Sequence, residues 1–162
     1  MAKRRIITDK DPTWRQISRP VERVTPRIKQ LLDDMLETMR AADGVGLAAP
    51  QVGVLRRLVV IEVEEDHPIF LINPEIVYES GEQEGPEGCL SIPGRSGIVK
   101  RPNKVTVRAQ DSRGNPMEIT AEGFLARAFC HEIDHLDGIL YIDKMEREIF
   151  PEDEEAEEET EE

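Results

Sequence analysis

The stretch from about Gly123 to Leu136 has to satisfy two environments at once. Leu125, Phe129, Ile133 and Leu136 recur at the spacing that lines one side of a helix, while Phe124, Ala128, His131 and His135 line a second side. A helix that is apolar on one face and carries imidazoles on another belongs in the middle of a fold, with sheet around it. The rest of the chain supplies that sheet. Residues 57–63 and 68–72 read as strands, and Lys104 to Gln110 turns Val105, Val107 and Ala109 to one side. Asp111 to Pro116 reads as a turn and Met117 to Thr120 as its partner strand. An earlier helix runs from about Pro26 to Ala42, capped by Thr25, with Pro26 at its first position. Its buried stripe is Ile28, Leu31, Leu32, Met35, Leu36 and Met39, and Asp43-Gly44 ends it. The glycine-rich run from Gly44 to Gly53 reads as a tight path without regular structure. The fold class is α+β: mixed, largely antiparallel sheets around a central helix.

That central helix contains His131-Glu132-Ile133-Asp134-His135, an H-E-x-x-H motif. Spacing of i, i+4 puts both imidazoles on one face, one turn apart, so they can ligate one ion. The glutamate between them then sits where it can take a proton from a bound water. A catalytic site holds three protein ligands and one open position, so a third ligand is needed. An extended metalloprotease motif would place a histidine three residues after Gly138, but that position is Tyr141. His67, in a turn before Pro68, reads as a solvated loop residue. Cys130 precedes His131 on the same helix and projects about 100° away, so it reads as packing. Cys89, in Glu87-Gly88-Cys89-Leu90-Ser91, remains as the soft third ligand.

Three segments together resemble the peptide deformylase family: Gly44-Val45-Gly46-Leu47-Ala48-Ala49-Pro50-Gln51, Glu87-Gly88-Cys89-Leu90-Ser91 and His131-Glu132-Ile133-Asp134-His135-Leu136. They match the family's three motifs in sequence, order and approximate spacing, and the similarity covers about residues 5 to 147. The resemblance implies removal of the N-formyl group from the initiator methionine of nascent polypeptides, at one divalent metal held by Cys89, His131 and His135. The ion it implies is Fe²⁺ in cells, with Zn²⁺, Ni²⁺ or Co²⁺ also able to occupy the site. A thiolate and two neutral imidazoles leave such a site with charge +1, enough to make a bound water acidic at about neutral pH. The resulting hydroxide attacks the formyl carbon, with Glu132 as general base and then general acid. By the same resemblance, the Gln51 side-chain amide and the Leu90 backbone N–H stabilise the oxyanion. Gly46 offers its backbone to a peptide lying as an added strand. Val45, Phe124 and Ala128 are candidates for the methionine pocket, and each could equally be plain core. Ser96 falls where some bacterial members carry arginine near the pocket mouth.

Charge divides the chain unevenly. The net charge is −13, but residues 152–162 hold nine acids and no base. Setting those aside leaves 25 acids against 21 bases, a body charge of −4. Residues 1–150 therefore read as the catalytic domain and 151–162 as an acidic, solvated tail that is dispensable for catalysis. No basic face points to direct nucleic-acid binding, and ribosome association is expected to be transient. Apolar runs such as Leu58-Val59-Val60-Ile61 are far below the ~20 residues of a membrane span, and no signal-peptide core follows Lys3-Arg4-Arg5. A cytoplasmic location follows. Two alternatives stay open on residues alone: an H-E-x-x-H metalloprotease, and a non-catalytic module stabilised by metal.

Overall fold

The computed structural model describes residues 3–8 and 11–150. The acidic tail anticipated at 151–162 lies outside them. A short 3-10 turn, Pro12–Arg15, precedes α1 (Pro26–Ala41). Then come β1 (Gly46–Ala48), a 3-10 turn at Ala49–Val52, β2 (Leu58–Ile61), β3 (Ile69–Ser80), β4 (Gln83–Cys89) and β5 (Ile92–Arg101). β6 (Lys104–Gln110), β7 (Pro116–Glu122), α2 (Gly123–Leu136), a 3-10 turn at Tyr141–Asp143 and β8 (Arg147–Ile149) complete the order. A five-stranded sheet runs β1-β2-β3-β6-β7 and a three-stranded sheet runs β4-β5-β8, each pairing antiparallel. This is the α+β class that the sequence predicts.

The larger sheet is covered on both faces, and β2 shows why. All four of its residues are buried. Val59 and Ile61 pack with Phe129, Cys130, Ile133 and Leu136 of α2. Leu58 and Val60 pack with Leu31, Leu32, Met35 and Met39 of α1. Side chains alternate across a strand, so one continuous apolar run serves two helices on opposite faces. Each of these side chains contributes roughly 1.5–3 kcal/mol by leaving water.

Helix ends follow the sequence. The Thr25 hydroxyl accepts from Ile28 N at 3.3 Å. α1 stops where Asp43 takes a left-handed conformation, φ 56°. α2 stops at Gly138, φ 74°, where a Cβ would collide with the Arg15 carbonyl.

The strands are more numerous than predicted. β1 lies inside the run read as irregular, and β4, β5 and β8 are new. β3 continues past Asn73-Pro74 because Asn73, φ 54°, forms an irregularity between Ile72 and Glu75 that absorbs the proline. The Asn73 side chain bonds both Val21 N and Val21 O at 2.8 Å, which anchors that irregularity. Pro86 is tolerated in β4 because β4 is a sheet edge, where a missing N–H breaks no ladder.

Phe129 is fully buried between α2 and the sheet. Phe129→Ala should destabilise the protein by about 3–5 kcal/mol in urea unfolding, and a loss below about 1 kcal/mol would contradict this packing.

Candidate metal centre and active site

α2 brings His131 and His135 to one face, with ring centroids 5.1 Å apart. The end of β4 brings Cys89 against them, its Sγ 3.3 Å from His135 Nε2. One donor atom from each of the three lies within 4.8 Å of the others. Two ligands of a tetrahedral ion with ordinary Zn–N and Zn–S bonds stand about 3.5 Å apart, so the spacing fits a shared cation. The donor set also fits: one soft sulfur and two imidazoles suit late divalent metals such as iron, nickel, cobalt and zinc.

Electrostatics point the same way. Burial opposes a proton on His131, yet the Cys89 sulfur, Glu132 and Glu87 outweigh it and hold its pKa up to about 10. A place that holds a proton so firmly favours positive charge. At His135 burial dominates and pushes the pKa well below the usual imidazole range. Its imidazole is therefore neutral, the form that ligates metals.

Behind the histidines stands a carboxylate. Glu87 Oε1 lies 2.8 Å from His131 Nδ1, which leaves His131 Nε2 for a ligand. Glu87 also accepts from Arg101 Nε at 2.9 Å and Nη2 at 2.8 Å, and from Arg127 Nη1 at 2.7 Å. Arg101 reaches on to Asp134 at 2.7 Å. Burial would raise the Glu87 pKa, but hydrogen bonds from Arg101 and His131 bring it down to about 2. Glu87 is thus ionised and fully paired, and it orients the ring of His131.

Glu132 is different. It is 4% exposed and its Oε1 has no hydrogen-bond partner among the described residues. Burial is the main cause pushing its pKa up to about 7. Gly46 makes room for this carboxylate, since a Cβ there would collide with it. The Gln51 side-chain oxygen accepts from Ala48 N at 2.9 Å, which turns Nε2 toward Ser91 Oγ at 3.1 Å and Cys89 Sγ at 3.5 Å. One end of the Gln51 amide thus caps a turn while the other points toward the sulfur.

A cleft of about 470 Å³ opens over this cluster. Val45, Gly46, Gln51, Cys89, Leu90, Phe124, Ala128, His131 and Glu132 all line it. Val45 and Phe124 are 41% and 54% exposed, so the plain-core reading of those two is overturned. Ala128 is buried and belongs to both core and cleft. Leu90 packs its side chain against the α1 core. Cys130 is buried in the other core cluster, where burial pushes its thiol up to about 11. His67 is exposed.

Five contributors escape sequence reasoning. Glu87, Arg101 and Arg127 meet across 14 and 40 residues of chain, which no local pattern reveals. Tyr141 stacks on His131 with centroids 6.0 Å apart, so the residue that displaces a third histidine supports the first. Arg95 also lines the cleft, one position before the Ser96 thought to leave the mouth without an arginine. Glu148 holds it at 2.7 Å.

A cysteine and two helical histidines under an open cleft, with a buried carboxylate beside them, is the arrangement of a metal-dependent hydrolase. The family model described as polypeptide deformylase matches residues 3–149. The chain is similar to a peptide deformylase of Lachnoclostridium phytofermentans, 60% identical over 92% of this chain and 93% of that protein. It is 61% identical to one of Caldanaerobacter subterraneus subsp. tengcongensis, over 85% of this chain and 86% of the relative. Among solved structures, the peptide deformylase of Legionella pneumophila matches with a TM-score of 0.86 at 45% identity, covering 96% of this chain and 90% of that one. That of Synechococcus elongatus, in complex with actinonin, matches with a TM-score of 0.84 at 43% identity, covering 88% and 78%. The chain belongs to the polypeptide deformylase family.

The two cysteines make opposite forecasts. Cys89→Ala should lose bound metal and activity together, while Cys130→Ala should keep one metal per chain. Metal analysis of the two purified variants decides this, and loss of metal from the Cys130 variant would refute the ligand assignment.

Proposed function

We propose that this chain removes the formyl group from the methionine at the start of newly made polypeptides, with Cys89, His131 and His135 holding one divalent metal. Fe²⁺ is the native ion in this reading, because a thiolate with two imidazoles suits iron as well as zinc, nickel or cobalt. The observation that carries it is Glu132: a buried carboxylate with an unpaired oxygen, set beside the donor cluster on the floor of the cleft. When bound, the cation supplies Lewis acidity, acidifying a water and polarising the formyl carbonyl.

The chain's own residues do the rest. Glu132, with its pKa pushed up to about 7, takes a proton from the attacking water near neutral pH. It returns that proton to the amine as the C–N bond breaks, giving formate and a free N-terminus. The Gln51 Nε2 donor and the Leu90 N–H stand at the cleft for the developing oxyanion, a contribution of roughly 3–4 kcal/mol per fixed donor. Ser91 Oγ and the Ala48 N–H hold the Gln51 amide in that orientation.

The cleft suits an extended peptide. β1 is an edge of the five-stranded sheet and β4 an edge of the three-stranded sheet, and both line the cleft. A peptide can pair with such an edge through Gly46, while Val45, Phe124 and Ala128 receive the methionine side chain. Residues 1–150 act as the catalytic domain in this reading. The enzyme works in the cytoplasm on chains leaving the ribosome, with transient ribosome association and no basic face for nucleic acid. Among the described residues, no helix is long and apolar enough to cross a membrane.

A formyl-Met peptide should be hydrolysed and an acetyl-Met peptide should not; cleavage of an internal peptide bond instead would favour a protease. Glu132→Gln preserves shape but takes no proton. It should still bind one metal and lose several orders of magnitude in kcat, and near-normal turnover would sink the mechanism. Iron beside a thiolate invites oxidation of ion and sulfur. The iron form should therefore lose activity in air faster than the nickel form, and equal lifetimes would contradict iron as the sensitive partner.

A further inference from the structure

The segment Arg4-Arg5-Ile6-Ile7 runs from α1 to the turn that carries Gln51. The Ile7 N–H donates to the Gln51 carbonyl at 2.7 Å. The four-residue turn that carries Gln51 closes with Gly53 N reaching back to Ala49 O and Pro50 O, and Val54 N to Ala49 O. The Gln51 carbonyl is thus held from outside its own turn.

The other end of the segment is tied to α1. The Arg4 N–H donates to Thr38 Oγ1 at 2.8 Å, and its guanidinium meets Asp34 at 3.2 Å. Asp34 is 4% exposed and also takes a bond from Gln30 at 2.8 Å. Between the two ends, successive side chains point to opposite sides. Ile6 packs into the α1 core, and Ile7 packs with Ile92 and Tyr141 in the cluster against which Cys89 also lies.

We propose that Arg4 to Ile7 form a strap whose task is to position Gln51, with Arg4 and Ile7 as positioning residues for the oxyanion donor. The inference rests on the role given to Gln51 above. The physical reason is leverage over a short turn. The Gln51 amide approaches the Cys89 sulfur at 3.5 Å and Ser91 at 3.1 Å, so a small tilt of its backbone moves the donor off the reacting oxygen. Substrate binding along the β1 and β4 edges does not pass through Gln51's carbonyl, so the strap acts on turnover rather than on affinity.

Kinetics of the full-length, metal-loaded enzyme on a formyl-Met peptide test this in a cycle of Arg4→Met, Gln51→Ala and the double variant. Ile7→Pro supplies a second route, since proline deletes the N–H donor and leaves the Arg4–Asp34 pair intact. It carries the test if Arg4→Met fails to fold. Arg4→Met and Ile7→Pro should each lower kcat roughly ten-fold while KM changes less than about two-fold. Arg4→Lys should recover most of the loss, and Arg4→Met should cost nothing further once Gln51 is alanine. The zinc-loaded protein gives a second readout: the Gln51 side-chain amide protons should exchange with solvent faster in Arg4→Met than in the parent. Equal kcat losses with and without Gln51, or unchanged amide exchange, would overturn the strap alone. A Gln51→Ala enzyme with undiminished kcat would overturn the oxyanion role and the strap with it.

Discussion

Burying a helix face that carries two imidazoles and a carboxylate costs several kcal/mol per charge unless each group finds a partner. α2 meets this cost through Glu87, which lies on a strand of the other sheet and is 6% exposed. Arg101 and Arg127 neutralise Glu87, and Glu87 in turn holds His131. The three-stranded sheet is therefore fastened to α2 by charge, while the five-stranded sheet is fastened to it by apolar packing. Among the described carboxylates of this helix face, Glu132 keeps one buried oxygen without a hydrogen-bond partner. The same low dielectric that makes Glu87 a firm anchor makes Glu132 reluctant to stay ionised, so one environment yields two carboxylates with opposite behaviour.

The cleft follows from how the two sheets end. β1 has three residues and β4 is interrupted by Gly85, Pro86 and Gly88, so neither edge is built to recruit a further strand of its own fold. Both present backbone to the opening beside the cluster. Leu90 and Gly46 share a logic here. Both line the cleft, and the side chain of the one, like the lack of a side chain in the other, answers to packing.

Much of this was legible in the sequence wherever one periodicity dominated. α1, α2 and β6 fall within one residue of where the pattern of apolar residues puts them, because in each a single apolar periodicity dominates. That Cys89, His131 and His135 would cluster was legible because the H-E-x-x-H spacing puts the imidazoles on one face and leaves Cys89 as the remaining soft donor. β4 and β5 were not. Their glycines and prolines imitate turns, and their pairing partners decide their state more than their own propensities do. β8 is three residues in a charged run, held by β5 rather than by any apolar pattern. The hub at Glu87 was hidden for a different reason. A buried ion pair leaves no periodic trace, and its arginines read as ordinary surface charge until the fold brings them inward.

The donors come from segments far apart in the chain. Cys89 and His135 are 46 residues apart, and Gly46 meets Glu132 across an even longer loop. Closing loops of that size is entropically costly and comes late in folding. A growing chain that has emerged only as far as Leu125 offers Cys89 and neither of the two helical imidazoles that stand beside it in the fold. The donor cluster is therefore a property of the long-range fold: its three side chains can meet only once the helix that ends at Leu136 has joined the strand that ends at Cys89.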